Sequence, residues 1–289
     1  MAIEQKWEHL KAVLRDMKLA VLAYSGGVDS SLLLKAASEV MGPQLIAVTA
    51  VSETYPDGEL PVAQAFARSL GVTHRILHTD ELSSESFAQN PPDRCYYCKQ
   101  ELFGKLRRLA DSEGISEVIE GSNTDDLKDH RPGRQAAREY CVRSPLVEAG
   151  FSKAEVRECA RSLKIAVWDK PSLACLSSRI PYGTRITTDV LRTIQQAEDH
   201  LRSLGFRQIR VRHHDETARI EIGTTEFPRL LEPGTTERII QVLKGLGYLY
   251  VCLDLEGYRT GSMNEGLGKM RNADCGMRNG KRNIEGVKE

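Results

Sequence analysis

A serine- and glycine-rich loop between a strand and a helix constrains the fold more than any other part of the sequence. The apolar run Leu19–Tyr24 predicts a buried strand, and the string S-G-G-V-D-S-S that follows it opens a helix. Unpaired N–H groups and the positive end of a helix bind anions, and adjacent glycines let a ligand approach the backbone closely. The sequence therefore predicts a phosphate site formed by Ser25, Gly26, Gly27, Asp29 and Ser30.

The details of this loop exclude two commoner phosphate loops. It lacks the Gly-Lys-Ser/Thr ending of a P-loop and the G-x-G-x-x-G spacing of a dinucleotide-binding loop. The Asp29 carboxylate suits Mg²⁺, a hard cation that carboxylates and phosphates bind together.

Short apolar runs alternate with helix-like stretches up to about residue 170. The apolar runs are Leu19–Tyr24, Leu45–Val51, Ile76–His78 and Val118–Ile119, and the helical stretches are Ser30–Met41, Glu59–Leu70 and Cys95–Ser112. This order predicts βαβ units and a parallel sheet of roughly five strands, with helices on both faces. Ser152 and Glu155 have the spacing of a capping box, which predicts a further helix start.

A segment rich in Pro, Ser and Gly, residues 168–184, predicts the domain boundary. Beyond it the sequence predicts a helix, two short strands, a helix and a strand, at Thr188–Leu204, Gln208–His213, Ala218–Ile222, Glu237–Leu246 and Tyr248–Leu255. This order is typical of a small α+β domain. We therefore assign residues 1–183 and 184–289 to two domains, and expect the polar tail from Asn272 to be frayed.

A second polar string, G-S-N-T-D-D at residues 121–126, follows the predicted strand Val118–Ile119. It lies at the carboxyl edge of the predicted sheet, where open α/β sheets bind ligands. Strand ends rich in Asn and Asp are usually only turns. Together with the first loop, however, the string makes Gly121 and Asp125 candidates for the same ligand.

The charges are unevenly distributed in a chain whose formal net charge is zero. The zero argues against indiscriminate binding to nucleic acid or anionic membranes. Residues 1–150 carry a net charge of −5 and residues 151–289 one of +5. In the second half, strand alternation places Arg210 and Arg212 on one face, together with Arg219 and Glu221 of the partner strand. We expect this face to be exposed, either to bind a phosphate or to form solvated salt bridges.

The N-terminus is charged throughout and no run of 18 apolar residues occurs, which predicts a cytoplasmic protein without a membrane span. In a reducing compartment its seven cysteines are expected to be buried, catalytic or metal-bound. Four isolated cysteines favour a role as small buried hydrophobic residues: Cys141, Cys159, Cys252 and Cys275.

The remaining three cysteines form a candidate site. Cys95 and Cys98 lie in a C-x-x-C at a predicted helix start with Asp93 as N-cap, and Cys175 lies in the boundary segment. The helix dipole and Arg94 or Lys99 would favour thiolates. Three cysteines would leave one iron of a [4Fe–4S] cluster without a protein ligand, so that substrate or sulfide could bind there. The alternatives are a structural zinc with a fourth ligand or a redox dithiol, although a zinc site usually shows a second C-x-x-C or a Cys/His pair and the sequence has none.

The first loop resembles the pyrophosphate loop of the PP-loop ATP pyrophosphatases, the adenine nucleotide α-hydrolase-like superfamily, and G-S-N-T-D-D resembles a second motif of that superfamily. Two further strings, Asp129-His-Arg-Pro-Gly133 and Cys175-Leu-Ser-Ser-Arg-Ile-Pro-Tyr-Gly183, narrow the resemblance. With them the chain is similar over nearly its whole length to the ATP-dependent sulfur transferases that build the nickel-pincer nucleotide cofactor of lactate racemase.

This resemblance implies an activity. Members of that family use Mg-ATP to adenylate a carboxylate of pyridinium-3,5-biscarboxylic acid mononucleotide, and sulfur ends in the product as thiocarboxylate. It implies catalytic roles for Cys175, Asp29 and Arg179, and substrate-phosphate binding by Arg210 and Arg212. The ATP site would be formed by Ser25, Gly26, Gly27, Asp29, Ser30, Gly121 and Asp125.

The family also offers two sulfur sources. Some members sacrifice the cysteine matching Cys175 and leave dehydroalanine, whereas others carry a C-x-x-C and a [4Fe–4S] cluster. The presence of Cys95 and Cys98 favours a cluster held with Cys175. Rival hypotheses are a tRNA thiolase and a non-enzymatic ATP-sensing or metal-storing module. The expected partners are a mononucleotide substrate, sulfide or another sulfur donor, and further copies of the chain, with neither membrane nor nucleic acid.

Overall fold

The computed structural model describes residues 2–127, 132–171, 174–259 and 261–265 of the 289-residue chain. The chain divides into two compact units, Met1–Gln196 and Ala197–Glu289. This division falls inside the helix Thr188–Ser203, whereas the sequence places the boundary after residue 183, so the assignment of residues 184–196 stays a prediction. Three predicted features lie outside the described residues: positions 129–131 of the string Asp129–Gly133, Cys275 and the tail from Asn272.

The first unit is built from alternating strands and helices. Its strands are β1 (Ala20–Ala23), β2 (Leu45–Val51), β3 (Thr73–His78) and β4 (Glu117–Glu120). Its helices are α1 (Ile3–Met17), α2 (Val28–Met41), α3 (Glu59–Ser69), α4 (Glu85–Ala88), α5 (Arg94–Ser112), α6 (Gly133–Glu139), α7 (Pro145–Glu148) and α8 (Lys153–Ser162), and α9 (Thr188–Ser203) continues into the second unit. The predicted βαβ order is confirmed.

The four strands form a parallel sheet in the order β3-β2-β1-β4. Successive strand residues point to opposite faces of a sheet. Ala20 and Leu22 of β1 accordingly join a core that α1, α2, α3 and α8 cover. Val21 joins the core on the other face, under α5 and α6. The predicted α/β layers, with helices on both faces of a parallel sheet, are therefore present.

The prediction of roughly five strands is wrong by one strand within the described residues. A fifth position exists only as one parallel bridge between Ile119 and Arg143, in which the Arg143 amide donates to the Val118 carbonyl over 2.9 Å. Two residues later Pro145 begins α7. Proline has no N–H to donate to a strand ladder, so the pairing ends there.

The second unit has a three-stranded sheet in the order β5-β6-β7, formed by β5 (Ile209–His214), β6 (Thr217–Ile222) and β7 (Tyr250–Leu253). β5 and β6 form the predicted antiparallel hairpin. β7 is parallel to β6, and such a connection needs a crossover. That crossover carries the helices α10 (Phe227–Leu230) and α11 (Thr235–Gly245), and α11 packs on the sheet. The predicted small α+β unit is thus present.

None of the helices in the described ranges is long and apolar enough to cross a membrane.

Candidate active site

The serine- and glycine-rich loop has the geometry of an anion site. α2 begins at Val28, and its N-cap, Gly27, is extended and has no side chain to occupy the helix end. The hydroxyls of Ser25 and Ser30 lie 3.1 Å apart at the mouth of this turn. Gly26 has φ +75°, and a Cβ there would lie 3.1 Å from the Cβ of Ala63. No side chain caps this helix end, so the first amides of α2 are available to an anion.

The second polar string packs directly against this loop. A Cβ on Gly121 would lie only 2.9 Å from the Ser30 amide nitrogen, so glycine is required for the two segments to meet. The Asn123 side-chain amide donates to an Asp29 carboxylate oxygen over 3.0 Å. Asp125 accepts a hydrogen bond from the backbone amide of the first residue of α8 at 2.9 Å. The structure thus brings Gly121 and Asp125 to the loop, and their contacts to ATP stay a prediction.

Lys153 is a site residue that the sequence analysis missed. It is the first residue of α8, and its ammonium group forms an ion pair with Asp29. The predicted Ser152–Glu155 capping box is present, and Lys6 binds Glu155 at 2.6 Å, so the start of α8 is firmly held. A lysine at a helix N-terminus opposes the helix dipole. The unfavourable position of this cation was the sequence signal that could have indicated a functional residue.

One short segment connects the loop to the region of Cys175. The Tyr55 hydroxyl donates to the Ser25 carbonyl over 3.2 Å. The neighbouring Thr54 carbonyl accepts a hydrogen bond from the Leu176 amide at 2.9 Å. Burial, the larger cause, and a nearby carboxylate raise the pKa of Tyr55, which keeps this phenol protonated as a donor. Cys175 therefore directly precedes Leu176, which is hydrogen-bonded to the segment that also contacts the serine- and glycine-rich loop.

The three candidate cysteines share one neighbourhood. Cys95 is exposed and Cys98 half-buried on the first turn of α5, and Cys175 precedes a short 3₁₀ helix at Leu176–Arg179. Burial, the Glu81 carboxylate and the thiols of Cys175 and Cys95 all raise the pKa of Cys98. The Cys98 thiol donates to Glu81 over 3.6 Å, and Glu81 itself is buried.

The expected stabilisation of a thiolate at Cys98 is therefore wrong. Lys99 lowers the pKa of Cys98, but burial and Glu81 outweigh it. Glu81 precedes α4 and lies well before the C-x-x-C in the sequence. The local motif therefore gives no sign of this carboxylate.

The other charged residues near the start of α5 also have different roles from those predicted. Arg94 is buried and donates to the Asn90 side chain over 2.5 Å. Asp93 occupies the N-cap position as predicted, but its side chain makes no capping hydrogen bond. The start of α5 is thus held by a buried side-chain contact rather than by a cap.

Arg179 is buried rather than presented to a ligand. Its guanidinium donates to the carbonyls of Ala174 (2.6 Å) and Cys175 (2.8 Å), so it fixes the backbone at Cys175. Its catalytic role stays a prediction.

Two of the isolated cysteines differ from expectation. Cys159 is buried as expected, whereas Cys141 and Cys252 are exposed. Cys141 lies in a turn with φ +52°, and Cys252 alternates with the core-packed residues of β7. Both positions therefore face away from the cores that the isolated cysteines were expected to join.

The predicted phosphate-binding arginines lie in the second unit on a covered face. Arg210 is opposite Glu221 and Arg212 is opposite Arg219, so the four side chains share one face, as the alternation predicts. The expectation that this face is exposed is wrong, because Arg210, Arg212 and Glu221 are all buried.

The residues that cover this face, among them Asp254 and Ser262, lie far along the chain from the hairpin. Arg212 binds Glu221 at 2.6 Å and the Ser262 hydroxyl at 2.9 Å. Arg219 binds Asp254 at 2.9 Å. Phosphate binding by Arg210 and Arg212 stays a prediction.

The sequence is similar to those of several known proteins. The family model described as asparagine synthase matches residues 13–106. An uncharacterized protein of Synechocystis sp. is 43% identical over 267 residues, which cover 92% of this chain and 100% of that protein. The pyridinium-3,5-bisthiocarboxylic acid mononucleotide synthase of Lactiplantibacillus plantarum is 40% identical over 261 residues, which cover 90% of this chain and 94% of that protein.

The chain belongs to the pyridinium-3,5-bisthiocarboxylic acid mononucleotide synthase family. An uncharacterized protein of Methanocaldococcus jannaschii is also similar, with 29% identity over 87% of this chain and 95% of that protein. The predicted family and the predicted α/β PP-loop fold are both confirmed.

In this member of the synthase family, the chain supplies three thiols, the type of ligand that binds a [4Fe–4S] cluster. Three thiols lie on two segments, and the charges of Cys95 and Cys175 both influence Cys98. Within the described ranges, no group of three or more His, Cys, Asp or Glu side chains is arranged to hold a metal ion. The three thiols are thus of the chemical kind that binds a cluster, although their arrangement in the structure is not that of a metal site.

Proposed function

We propose that this protein is an ATP-dependent sulfur transferase that converts a carboxylate of pyridinium-3,5-biscarboxylic acid mononucleotide to a thiocarboxylate. The observation that carries the proposal is the Thr54–Tyr55 segment, which is bonded both to the phosphate loop at Ser25 and to the neighbour of Cys175. An activating site and a sulfur site are thereby joined within one unit. Family membership supplies the substrate class.

The phosphate loop would bind Mg-ATP. The first amides of α2 and the hydroxyls of Ser25 and Ser30 suit the phosphate oxygens, and Asp29 suits the magnesium ion. Lys153, paired with Asp29, adds a cation beside the same helix end. A cation placed there would stabilise the negative charge that develops on departing pyrophosphate.

Adenylation makes the carboxylate reactive. A carboxylate oxygen attacks the α-phosphorus of ATP, the bond to the β-phosphate oxygen breaks, and pyrophosphate leaves. A sulfur nucleophile then adds to the acyl carbon, and AMP departs with the original carboxylate oxygen. The product is a thiocarboxylate, and no electrons are transferred between substrate and ATP.

The sulfur source forms part of the proposal. Cys95, Cys98 and Cys175 would hold a [4Fe–4S] cluster, which supplies an iron site without a protein ligand where sulfide can bind. Reduced thiols require a reducing compartment, so a cytoplasmic location belongs to the same proposal. The competing route takes the sulfur of Cys175 itself and leaves dehydroalanine.

Analysis of the protein purified without oxygen separates the two sulfur routes. The cluster route predicts bound iron and sulfide, both lost in Cys95→Ala, Cys98→Ala and Cys175→Ala. The sacrificial route predicts iron-free protein that loses the mass of H₂S at Cys175 after one turnover. That result would overturn the cluster part of the proposal.

Arg210 and Arg212 would bind the phosphate of the mononucleotide, since guanidinium pairs suit phosphate oxygens. If so, Arg210→Met raises the KM for the mononucleotide and leaves the KM for ATP unchanged. An equal rise in both KM values would contradict this assignment.

The activity itself is tested by incubating the protein with Mg-ATP, sulfide and the biscarboxylate mononucleotide. We expect AMP, pyrophosphate and thiocarboxylate to form together, and to depend on the mononucleotide. Tight, salt-sensitive binding of tRNA with no reaction of the mononucleotide would favour a tRNA thiolase instead.

A further inference from the structure

We propose that Asn90 is a positioning residue that holds the segment carrying Cys95 and Cys98 against the segment carrying Cys175. The inference deepens the proposed function, because it rests on the three thiols acting as one site. Asn90 precedes α5, and the residues it binds follow Cys175.

The contacts of Asn90 run across the two segments. Its side-chain amide donates to the carbonyls of Pro181 (2.7 Å), Thr184 (3.1 Å) and Ile180 (3.3 Å). Its backbone carbonyl accepts from the Gly183 amide at 2.9 Å. Both the backbone and the side chain of Asn90 therefore bind the same turn.

Asn90 is itself held in place. It is fully buried, and its side-chain oxygen accepts a hydrogen bond from Arg94 over 2.5 Å. The Arg94 guanidinium also lies 4.8 Å from the centre of the Tyr182 ring. Arg94 directly precedes Cys95, so the contacts of Asn90 extend to the first turn of α5.

The conformation of Asn90 explains why this residue type is present. Its φ is +54°, in the left-handed region that asparagine tolerates better than most residues. The position also needs an N–H₂ donor for the carbonyls and an oxygen acceptor for Arg94. Aspartate would keep the acceptor and lose both amide hydrogens.

The apolar cluster next to these hydrogen bonds also contacts Cys98. Leu176 and Ile180 are buried in one cluster with Phe87, and Cys98 packs at its edge. Leu176 directly follows the third cysteine of the site. The side-chain hydrogen bonds of Asn90 go to this turn and to Arg94. Asn90 therefore acts by fixing the turn that ends the segment carrying that cysteine.

The test compares Asn90→Asp with Gln89→Glu, a matched amide-to-acid change at the neighbouring position. Two quantities are measured on the full chain: crosslinking of Cys98 to Cys175 by dibromobimane in a Cys95→Ser background, and thiocarboxylate formation with Cys95 present. We expect Asn90→Asp to lower both by about tenfold or more, because small misplacements of reacting groups are costly. ATP–pyrophosphate exchange should stay unchanged, since the proposed adenylation step does not use the thiols.

A merely structural role would lower the thermal unfolding midpoint while leaving the crosslinking of the folded protein unchanged, and that result would overturn the proposal. If Asn90→Asp does not fold, Asn90→Gly, which tolerates the positive φ, is measured in the same crosslinking assay. Absence of substrate-dependent exchange in the unsubstituted protein would refute the proposed function alone, because the crosslinking assay still tests Asn90.

Discussion

At the scale of single residues, the ion pair between Lys153 and Asp29 is the most informative contact of the site. Both groups are partly exposed beside the start of α2, where ATP phosphates are proposed to bind. A bound nucleotide would bring a magnesium ion to the carboxylate and phosphate oxygens to the ammonium group. The pair is therefore suited to exchange partners when ATP binds.

Replacing Lys153 by methionine removes the cation and keeps most of the side-chain volume. Hydrogen bonds to charged groups contribute about 1.5–3 kcal/mol, so we expect ATP–pyrophosphate exchange to fall by roughly tenfold to a hundredfold. Lys164→Met, beyond the opposite end of α8, serves as the control and should leave exchange unchanged. Equal activity in the two variants would exclude Lys153 from the ATP site.

The Glu81 carboxylate makes a separate prediction about Cys98. Because its negative charge raises the pKa of Cys98, Glu81→Gln should lower that pKa and increase alkylation of Cys98 near pH 8. Burial, the larger cause, remains in the variant. Alkylation is followed residue by residue by mass spectrometry, with exposed Cys252 as the internal control. An unchanged ratio of the two rates would show that Glu81 has no effect on the thiol.

At the scale of elements, hydrophobic periodicity predicted strands and helices well. The strand β2 has the predicted bounds, Leu45–Val51, and alternation correctly placed Arg210 and Glu221 on the same face of the hairpin. Periodicity does not predict what covers a polar face, since the covering residues Asp254 and Ser262 are remote in sequence from the hairpin. The same limit explains why Glu81 and Lys153 were missed: each reaches the site through tertiary contacts.

The capping box of α8 predicts a pH-dependent stability. Hydrogen bonding to Lys6 lowers the pKa of Glu155 from 4.5 to about 2. A lowered carboxyl pKa stabilises the folded state above the unfolded value, and this contribution is lost as pH falls from about 4.5 to about 2.

Glu155→Gln keeps an acceptor for the cap and removes the ion pair. We expect it to lower the free energy of unfolding at about pH 6 by up to about 1 kcal/mol, since the pair is partly exposed. The difference from the unsubstituted protein should shrink steadily below pH 4.5 in urea titrations. A difference that is constant down to about pH 2 would contradict the ionic origin.

At the scale of the whole molecule, each unit has its own core, and the second unit adds a buried charge network to its core. Glu221 is fully buried and binds Arg212 at 2.6 Å and Arg219 at 3.2 Å. The net charge of zero thus gives no indication that charged side chains are paired inside the fold. Composition alone could not distinguish this arrangement from an exposed basic face.

Glu221→Gln tests this network. Removing one partner of a buried ion pair leaves an uncompensated charge, so we expect a loss of about 3–5 kcal/mol in the free energy of unfolding. Glu256→Gln, which removes a carboxylate 75% exposed beside Arg259, is the control and should cost less than about 1 kcal/mol. Similar losses in chemical denaturation would show that the buried network contributes little.

An oxygen label shows whether the carboxylate is adenylated before sulfur is transferred. The biscarboxylate mononucleotide is prepared with ¹⁸O in its carboxylates and converted in the presence of Mg-ATP and sulfide. We expect AMP that carries one ¹⁸O atom for each thiocarboxylate formed, with unlabelled pyrophosphate. Unlabelled AMP, or ADP as the nucleotide product, would contradict it.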